Sequence, residues 1–308
     1  MLTPALIAAG CGRAAFRSPE VLLFSTIGYR IFQDYIWVAD PAGDEVRAFL
    51  RPAGQRSYLE ASACSLAGPV AIIVHKTMPS GIVDDEIDLY RPTNRWRRLW
   101  YQPPASPGDL AISPVGALVA ATMRPTPGDL SHIWIIPTSG GEPMDISGRL
   151  PAGTGDYSPQ WSQSGERLMF RRISVSDAGR HYVTELLSFS PATGQVSVFL
   201  PQRPEFLMAC FGPRESLILR EGLVLNLLAA DGTSTRLLDA HAIPGAALSD
   251  AGMIYSERLN LIAFTMVRGI NTPQESSEIW LLDLAGSKLR RLYATTSGRV
   301  AGISFARR

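Results

Sequence analysis

Lysine, cysteine and recognisable catalytic motifs are scarce or missing in this sequence of 308 residues. Lys76 and Lys288 are the only lysines, and the 29 basic residues are balanced by 28 acidic ones. A net charge of +1 provides no field for attracting nucleic acid or anionic membranes, so we predict no nucleic-acid partner. The sequence contains no Gly-x-Ser-x-Gly elbow, no P-loop and no His-Glu-x-x-His motif, and we therefore predict no catalytic residue.

Histidine is also scarce, and sustained helical periodicity is missing. The four histidines are far apart in sequence, at positions His75, His132, His181 and His241. A metal site would require them to converge in space, so we predict neither a metal nor another cofactor. No stretch shows the 3.6-residue period of an amphipathic helix, which predicts a protein built almost entirely of strands.

A short phrase of the form apolar–Ser–x–x–Gly recurs along the chain and predicts its architecture. Successive copies begin 48, 49, 49, 38 and 55 residues apart. A repeat of roughly 40 to 50 residues that contains only short strands is typical of a β-propeller, with one four-stranded sheet per repeat. The fourth copy is degenerate and the last is truncated; the copies begin at Cys64, Ile112, Trp161, Cys210, Leu248 and Ile303.

Within each repeat we expect four strands, a to d from the axis outwards, with the phrase forming the turn between a and b. The last copy lies on an inner strand that has no b, c or d after it, whereas Val21 begins a b strand with no inner strand before it. Joining the two ends completes one blade and removes two open sheet edges. We therefore predict an all-β, six-bladed propeller of four-stranded antiparallel blades over residues 21–308, closed by the C-terminal strand.

One repeat carries a resemblance to a known superfamily. The segment Tyr157-Ser158-Pro159-Gln160-Trp161-Ser162-Gln163-Ser164-Gly165 resembles the a–b segment of TolB-type, WD-repeat-like six-bladed propellers, whose repeats contain Pro-x-Trp-Ser-Pro-Asp-Gly. Ile36-Trp37, Ile133-Trp134 and Ile279-Trp280 are similar to the Ile-Tyr/Trp pair that opens strand c in those proteins. The resemblance implies a six-bladed propeller and an extracytoplasmic location, and it extends to the superfamily and not to the TolB protein itself.

The cysteines and the N-terminus bear on location. Cys64 and Cys210 belong to repeats on opposite sides of a six-membered ring, so we expect them to be unbridged and to pack as small apolar residues. Residues 1–20 are predicted to be a tail, in which small residues precede Cys11 as in a bacterial lipoprotein signal. Cys11 is then either the lipid anchor of an extracytoplasmic protein or an ordinary residue in the tail of a cytoplasmic one.

The loops between strands b and c are long in five repeats, which favours a binding surface on their face of the propeller. Asp84-Asp85-Glu86 is the densest acidic cluster predicted on that rim. Asp109 and Asp156 precede predicted inner strands and are expected to face the channel entrance, with Tyr157 offering an aromatic contact. These residues, together with His181 in a fourth b–c loop, are the predicted binding residues.

These observations predict a non-enzymatic scaffold, a monomeric propeller that binds a protein or peptide with the loop face at the mouth of its channel. The alternative is a propeller enzyme, or a receptor for a small ligand or metal, with its site in the central channel. Convergence of several ionisable groups in the channel would favour the alternative.

Overall fold

Short apolar strands separated by turn residues pair into six antiparallel sheets of four strands each. The structure is a computed structural model, and it describes residues 16–28, 34–43, 45–52, 56–77, 83–93, 95–102, 105–126, 128–175, 182–203, 206–243, 245–269, 275–286, 288–296 and 298–308. In these ranges the only helices are two single turns of 3-10 helix, Pro213–Glu215 and Ala240–Ala242. The expected near-absence of helix is confirmed for the described part of the chain.

The six sheets form blades 1 to 6, and the strands of each blade follow in the order a, b, c, d. Blade 1 contains β24 (Gly298–Arg307), β1 (Glu20–Gly28), β2 (Tyr35–Ala39) and β3 (Val46–Leu50). Blade 2 contains β4 (Arg56–Ala63), β5 (Val70–Thr77), β6 (Val83–Arg91) and β7 (Arg95–Trp100). Blade 3 contains β8 (Ser106–Ile112), β9 (Leu118–Arg124), β10 (His132–Pro137) and β11 (Met144–Asp145).

Blades 4 to 6 have the same order. Blade 4 contains β12 (Thr154–Trp161), β13 (Leu168–Val175), β14 (Tyr182–Ser190) and β15 (Gln195–Arg203). Blade 5 contains β16 (Phe206–Phe211), β17 (Leu217–Glu221), β18 (Val224–Leu228) and β19 (Ser234–Asp239). Blade 6 contains β20 (Ala246–Ser256), β21 (Leu261–Arg268), β22 (Ser276–Asp283) and β23 (Lys288–Thr295).

The ring is closed by the two ends of the chain, as predicted. Strand β24 pairs with β1 from Glu20↔Arg307 to Gly28↔Gly298 and takes the inner position of blade 1. The contact continues into blade 2, because Arg307 N donates to Cys64 O at 3.0 Å and Leu66 N donates to Arg307 O at 2.7 Å. The C-terminal strand therefore joins both the first strand and the neighbouring blade.

Six apolar clusters hold the blades together, one between each pair of neighbours. The alternation of side chains along each b strand explains how one strand serves two clusters. Val21 and Leu23 pack towards blade 2, whereas Leu22 and Phe24 pack towards blade 6. Since each blade buries both faces against its neighbours, each b strand contains a run of at least three consecutive apolar residues rather than one at every second position.

The Ser-x-x-Gly phrase forms the a–b turn in blades 2, 3 and 4. In blade 3, Gly116 has φ +72° and donates its N–H to Ser113 O at 2.8 Å. Gly165 of blade 4 has φ +76° and donates to Ser162 O at 3.0 Å. The serine side chains accept from the backbone that leaves the turn, and glycine allows the left-handed conformation. The assignment of these serines to turn geometry is confirmed.

In blade 6 the predicted position of the phrase is wrong. Residues 248–252 lie inside β20, beside a register shift between the pairs Leu248↔Met266 and Met253↔Phe264. The turn instead follows Tyr255-Ser256, where Ser256 Oγ accepts from Leu259 N at 3.1 Å and Asn260 adopts φ +51°. Asparagine tolerates this left-handed conformation, so the turn needs no glycine. Starting this copy at 255 changes the neighbouring intervals from 38 and 55 residues to 45 and 48.

Part of the predicted tail belongs to the folded structure. Phe16 is buried in the cluster between blades 1 and 2, and Arg17 N donates to Asp40 Oδ2 at 2.6 Å. Cys11 lies outside the described residues. Cys64 and Cys210 are free thiols, as expected, with Cys210 buried. Across the described ranges no helix is long and apolar enough to cross a membrane.

Candidate ligand cavity in the central channel

Every inner strand is interrupted by a β-bulge. The extra residues are Leu59, Asp109, Ser158-Pro159, Leu207, 249–252 and Gly302. A bulge breaks the alternation of the strand and changes the direction of the side chains beside it. Residues in or beside all six bulges line one cavity, and we call the six bulges together the bulge layer.

A cavity extends from the bulge layer to the a–b turns, with room for water-sized molecules over about 190 Å³. All six inner strands line it, but only through their bulges and the halves that lead to the a–b turns. Four of the lining residues near these turns are aromatic, and their rings also pack in the clusters between blades: Trp161, Phe211, Tyr255 and Phe305. The cavity therefore has an aromatic mouth on the face of the a–b turns, which is opposite to the face of the b–c loops.

Two carboxyl groups, Glu60 and Asp109, lie at the bulge layer and line the cavity. Glu60 Oε1 accepts from Leu110 N of the next blade at 2.8 Å. Asp109 Oδ2 accepts from Ser158 N at 2.8 Å and from Ser158 Oγ at 3.1 Å. Burial and the neighbouring Asp109 carboxylate raise the pKa of Glu60 to about 8. At neutral pH Glu60 is therefore mostly protonated.

The backbone near these carboxyl groups is strained. Ser158 has φ +53°, a conformation that residues other than glycine seldom adopt. Asp109 accepts two hydrogen bonds from Ser158, and Arg171 Nη2 donates to Ser158 Oγ at 2.8 Å. Strained residues that are held in this way tend to occur at functional sites. The strain thus favours a site in the channel rather than on the rim.

Polar side chains of blade 4 reach across to blade 6. Gln160 Nε2 donates to Met253 O at 2.6 Å, and Gln163 Nε2 donates to Tyr255 O at 3.4 Å. The shorter inner strand of blade 5, β16, lies between these blades in chain order. The two glutamines fix the wall of the cavity on this side.

The structure places the predicted rim acids in strand β6 and not in a loop. Asp84 accepts from Tyr101 Oη at 2.9 Å, and Asp85 Oδ1 lies 2.7 Å from His75 Nδ1. Glu86 is buried and forms ion pairs with Lys76 and Arg98. The cluster is a set of strand side chains whose partners lie in or beside blade 2, including Ser106 of blade 3, which donates to Asp85 Oδ2 at 3.1 Å.

The other predicted binding residues are dispersed. Asp109 and Asp156 lie within the inner strands β8 and β12, where they were expected to precede them. Asp109 lines the cavity, but Asp156 is fully buried and paired with Arg172 at 2.8 Å through both carboxylate oxygens. Tyr157 lies against its own strand over Gly155 and does not line the cavity. His181 lies outside the described residues.

Sequence reasoning missed Glu60, Ser158 and Gln160, which the bulges direct to the channel. A usable signal existed at Glu60, since it is an isolated charge in the segment Leu59-Glu60-Ala61-Ser62-Ala63 of an inner strand. No group of three or more His, Cys, Asp or Glu side chains able to hold a metal occurs among the described residues.

The fold and this cavity define a six-bladed β-propeller with a ligand-sized channel. No protein family and no curated protein matches the sequence. An oligogalacturonate lyase in complex with manganese is similar in structure at 12% identity, with a TM-score of 0.53 over 90% of this chain and 74% of that one. A protein from Lactobacillus plantarum is similar at 13% identity, with a TM-score of 0.53 over 93% of this chain and 99% of that one.

The β-propeller domain of the Trilobed protease from Pyrococcus furiosus is similar at 13% identity, with a TM-score of 0.51 over 78% of this chain and 71% of that one. At such identities the similarity shows the fold alone. The predicted six-bladed β-propeller fold is thus confirmed, whereas the narrower resemblance to TolB-type propellers stays a prediction.

Proposed function

We propose that this propeller is a non-enzymatic binding module that receives a segment of a peptide or protein at the a–b mouth of its channel. The cavity carries the proposal, because it joins an aromatic mouth to a polar floor within one continuous space. Pockets that bind ligands combine apolar walls with a few placed polar groups in this manner. An extracytoplasmic location, expected from the resemblance to TolB-type propellers, remains part of the proposal.

The surface around the mouth supports a macromolecular ligand. Val115, in the a–b turn of blade 3, is 81% exposed, and the adjacent Pro114 lines the cavity. Gln163 is exposed and lines the cavity in the a–b turn of blade 4. A chain segment that enters the channel would contact both turns, whereas a free small molecule would touch only the walls.

The b–c rim is the less favourable site. Asp84, Asp85 and Glu86 already have partners within or beside blade 2, and two of their contacts are ion pairs of Glu86. Binding through Glu86 would have to break these pairs in a buried environment, at a cost of several kcal/mol. The channel mouth requires no such rearrangement.

The alternative function, an enzyme or small-ligand receptor in the channel, is supported by one observation. A carboxyl group with its pKa raised to about 8 next to a second carboxyl group is an arrangement that acid–base catalysts use. However, the cavity lining, as far as the described residues define it, contains no histidine and no metal cluster. We therefore place binding first.

Selection of peptides from a random displayed library against the full chain tests the proposal, followed by affinity measurement with Gln163→Trp. A tryptophan there narrows the mouth, and we expect a loss of at least about tenfold in affinity. Gln195→Trp is the matched control, because Gln195 is an exposed glutamine of the same blade at the start of β15, away from the cavity. Asp129→Trp, in the exposed b–c loop of blade 3, tests the other face.

Peptides that bind the wild type and both control variants equally, but Gln163→Trp weakly, would support the proposal. Loss of binding only in Asp129→Trp would locate the site on the b–c rim. Enrichment of no peptide over a scrambled library, or equal binding to all variants, would overturn the proposed function.

A further inference from the structure

The carboxyl groups of Glu60 and Asp109 line the cavity without an ion-pair partner in the described chain, unlike the buried acids Glu86, Glu278 and Asp156. Glu86 is paired with Lys76 and Arg98. Glu278 lies 3.2 Å from Arg268 and 3.1 Å from Arg291, and Asp156 is paired with Arg172. No described Lys, Arg or His lies within ion-pair distance of Glu60 or Asp109, although both line the cavity.

Each of the two groups keeps one oxygen available. The backbone N–H of Leu110 occupies Glu60 Oε1, and Ser158 occupies Asp109 Oδ2. Glu60 Oε2 and Asp109 Oδ1 have no hydrogen-bond partner among the residues that the structure describes. The floor of the cavity therefore offers two acceptors that are held in place by backbone bonds and are not used within the fold.

A second, independent feature occurs in the same cavity. Ser304 lines it, is only 7% exposed, and its Oγ has no partner within the described ranges. A buried hydroxyl without a partner costs stability unless a bound molecule supplies one. Two residues earlier, Gly302 lies against the Glu60 side chain, so Ser304 and Glu60 belong to the same part of the channel wall.

We propose that Glu60, Asp109 and the Ser304 hydroxyl form a receptor for one ammonium or guanidinium group, which the bound peptide inserts through the aromatic mouth. The inference rests on the proposed function and names the chemical class that the channel recognises. An ammonium group presents three donors and a guanidinium five, and both match unused carboxylate oxygens. Trp161, Tyr255 and Phe305 line the path of its aliphatic stem.

Binding is coupled to the release of one proton. With the cavity unliganded, Glu60 keeps its proton at neutral pH because burial and Asp109 disfavour a second negative charge. When the cation binds, Glu60 ionises, its proton passes to solvent, and the two carboxylates face one positive group. The other charged groups of the lining, Glu20 and Arg307, lie towards the a–b turns, and Arg171 contacts Ser158.

Three probes separate the possible sources of the cation in NMR titrations of the tryptophan indole signals. The first is an acetylated, amidated pentapeptide with alanines flanking a central lysine. The second has norleucine in place of the lysine, and the third is a penta-alanine amide with a free amino terminus. We expect the lysine or the free-amine peptide to bind at least about tenfold more tightly than the norleucine peptide.

Calorimetry of the tighter peptide in two buffers of different ionisation enthalpy counts the protons, and we expect about one released near pH 7. Glu60→Gln should remove both the proton release and the preference over norleucine. Asp109→Asn serves the same purpose if Glu60→Gln does not fold, and Asp231→Asn, an exposed acid in the c–d turn of blade 5, is the matched control.

If neither the lysine peptide nor the free-amine peptide binds more tightly than the norleucine peptide, or if Glu60→Gln keeps the selectivity, the cation receptor is overturned. Tight binding of Ca²⁺ that competes with the peptides would replace it with a metal site. If library-selected peptides bind at the mouth and none of these cation effects appears, the proposed function stands and only this inference fails. The cation receptor is also overturned if none of the three peptides perturbs the tryptophan signals at millimolar concentration.

Discussion

Gly302 and Glu60 are packed so closely that a Cβ atom on Gly302 would lie 2.5 Å from Glu60 Cγ. Gly302 has φ +54° and forms the bulge of β24, the strand that closes the ring. Two requirements therefore coincide at one residue, since the backbone adopts a left-handed conformation and the neighbouring carboxyl side chain needs the space. Closure of the ring and the position of Glu60 in the channel are thus connected.

Gly302→Ala is expected to destabilise the protein by about 2 kcal/mol, because it adds a steric clash to a strained backbone conformation. The midpoint of urea unfolding measures the effect. Gly194→Ala is a suitable control, since Gly194 also has a positive φ, at +69°, but a Cβ there meets nothing within 4 Å. Equal losses in both variants would show that only the backbone conformation matters.

The raised pKa of Glu60 predicts that the stability of the folded protein falls as pH rises. Its pKa in the folded protein is about 8, against an ordinary value of 4.5, so the folded state holds a proton that the unfolded state has lost between these values. The group favours folding below pH 4.5, and that contribution is lost as pH rises to about 8, with a slope of at most about 1.4 kcal/mol per pH unit.

Glu60→Gln should flatten this part of the stability profile, which unfolding in urea at pH 5, 7 and 9 would measure. The amide oxygen of glutamine still accepts from Leu110 N, so the variant is expected to be at least as stable as the wild type above pH 8. If the stability of Glu60→Gln falls with pH as steeply as that of the wild type, another group causes the pH dependence.

The architecture was predictable from sequence because its determinants are local. Ser113 and Gly116 specify a turn within four residues, and the alternating packing of Val21 to Phe24 requires only an apolar strand. Prediction failed where a residue other than glycine occupies the left-handed position of the turn. Asn260 takes the left-handed turn position in blade 6, whereas the glycine of the phrase, Gly252, lies in a bulge of the inner strand.

The site was less predictable, because side-chain partners come from distant parts of the sequence. Nothing near Asp84 to Glu86 indicates that Arg98 and Tyr101 would contact them, and nothing near Asp156 identifies Arg172 as its partner. The bulges that bring Glu60 and Ser158 to the cavity depend on pairing between strands. A single sequence does not record such register shifts.

Asp156 and Arg172 form a pair whose loss should be costly. The carboxylate is fully buried, and it accepts from Arg172 Nε and Nη2 at 2.8 Å each. Asp156→Ala leaves the guanidinium without its partner, and we expect a loss of about 3 kcal/mol in unfolding free energy. A double-mutant cycle with Arg172→Ala isolates the coupling, and additive losses would contradict a direct interaction.

Of the acids in β6, Glu86 should contribute much more to stability than Asp84. Glu86→Gln removes the charge that pairs with Lys76 and Arg98 inside the sheet, so we expect a loss of about 2 to 4 kcal/mol. Asp84→Asn affects a hydrogen bond to an exposed tyrosine and should change stability by less than about 0.5 kcal/mol. Thermal unfolding of the two variants measures both losses of stability. Similar losses in Glu86→Gln and Asp84→Asn would show that both acids stabilise blade 2.

Ring closure by β24 predicts complementation in trans. A chain that ends at residue 297 lacks the inner strand of blade 1, which leaves β1 with an open edge and exposes the apolar clusters beside blades 2 and 6. We expect this chain to be aggregation-prone and to lose cooperative unfolding.

A synthetic peptide of residues 298–308 should restore monomeric behaviour of the truncated chain in size-exclusion chromatography, because the peptide pairs with β1 and contacts Cys64 and Leu66. A peptide with Ile303 and Phe305 replaced by aspartate is the control, since both side chains pack in the cluster between blades 6 and 1. Rescue by both peptides, or a truncated chain that unfolds as the full chain does, would contradict closure by this strand.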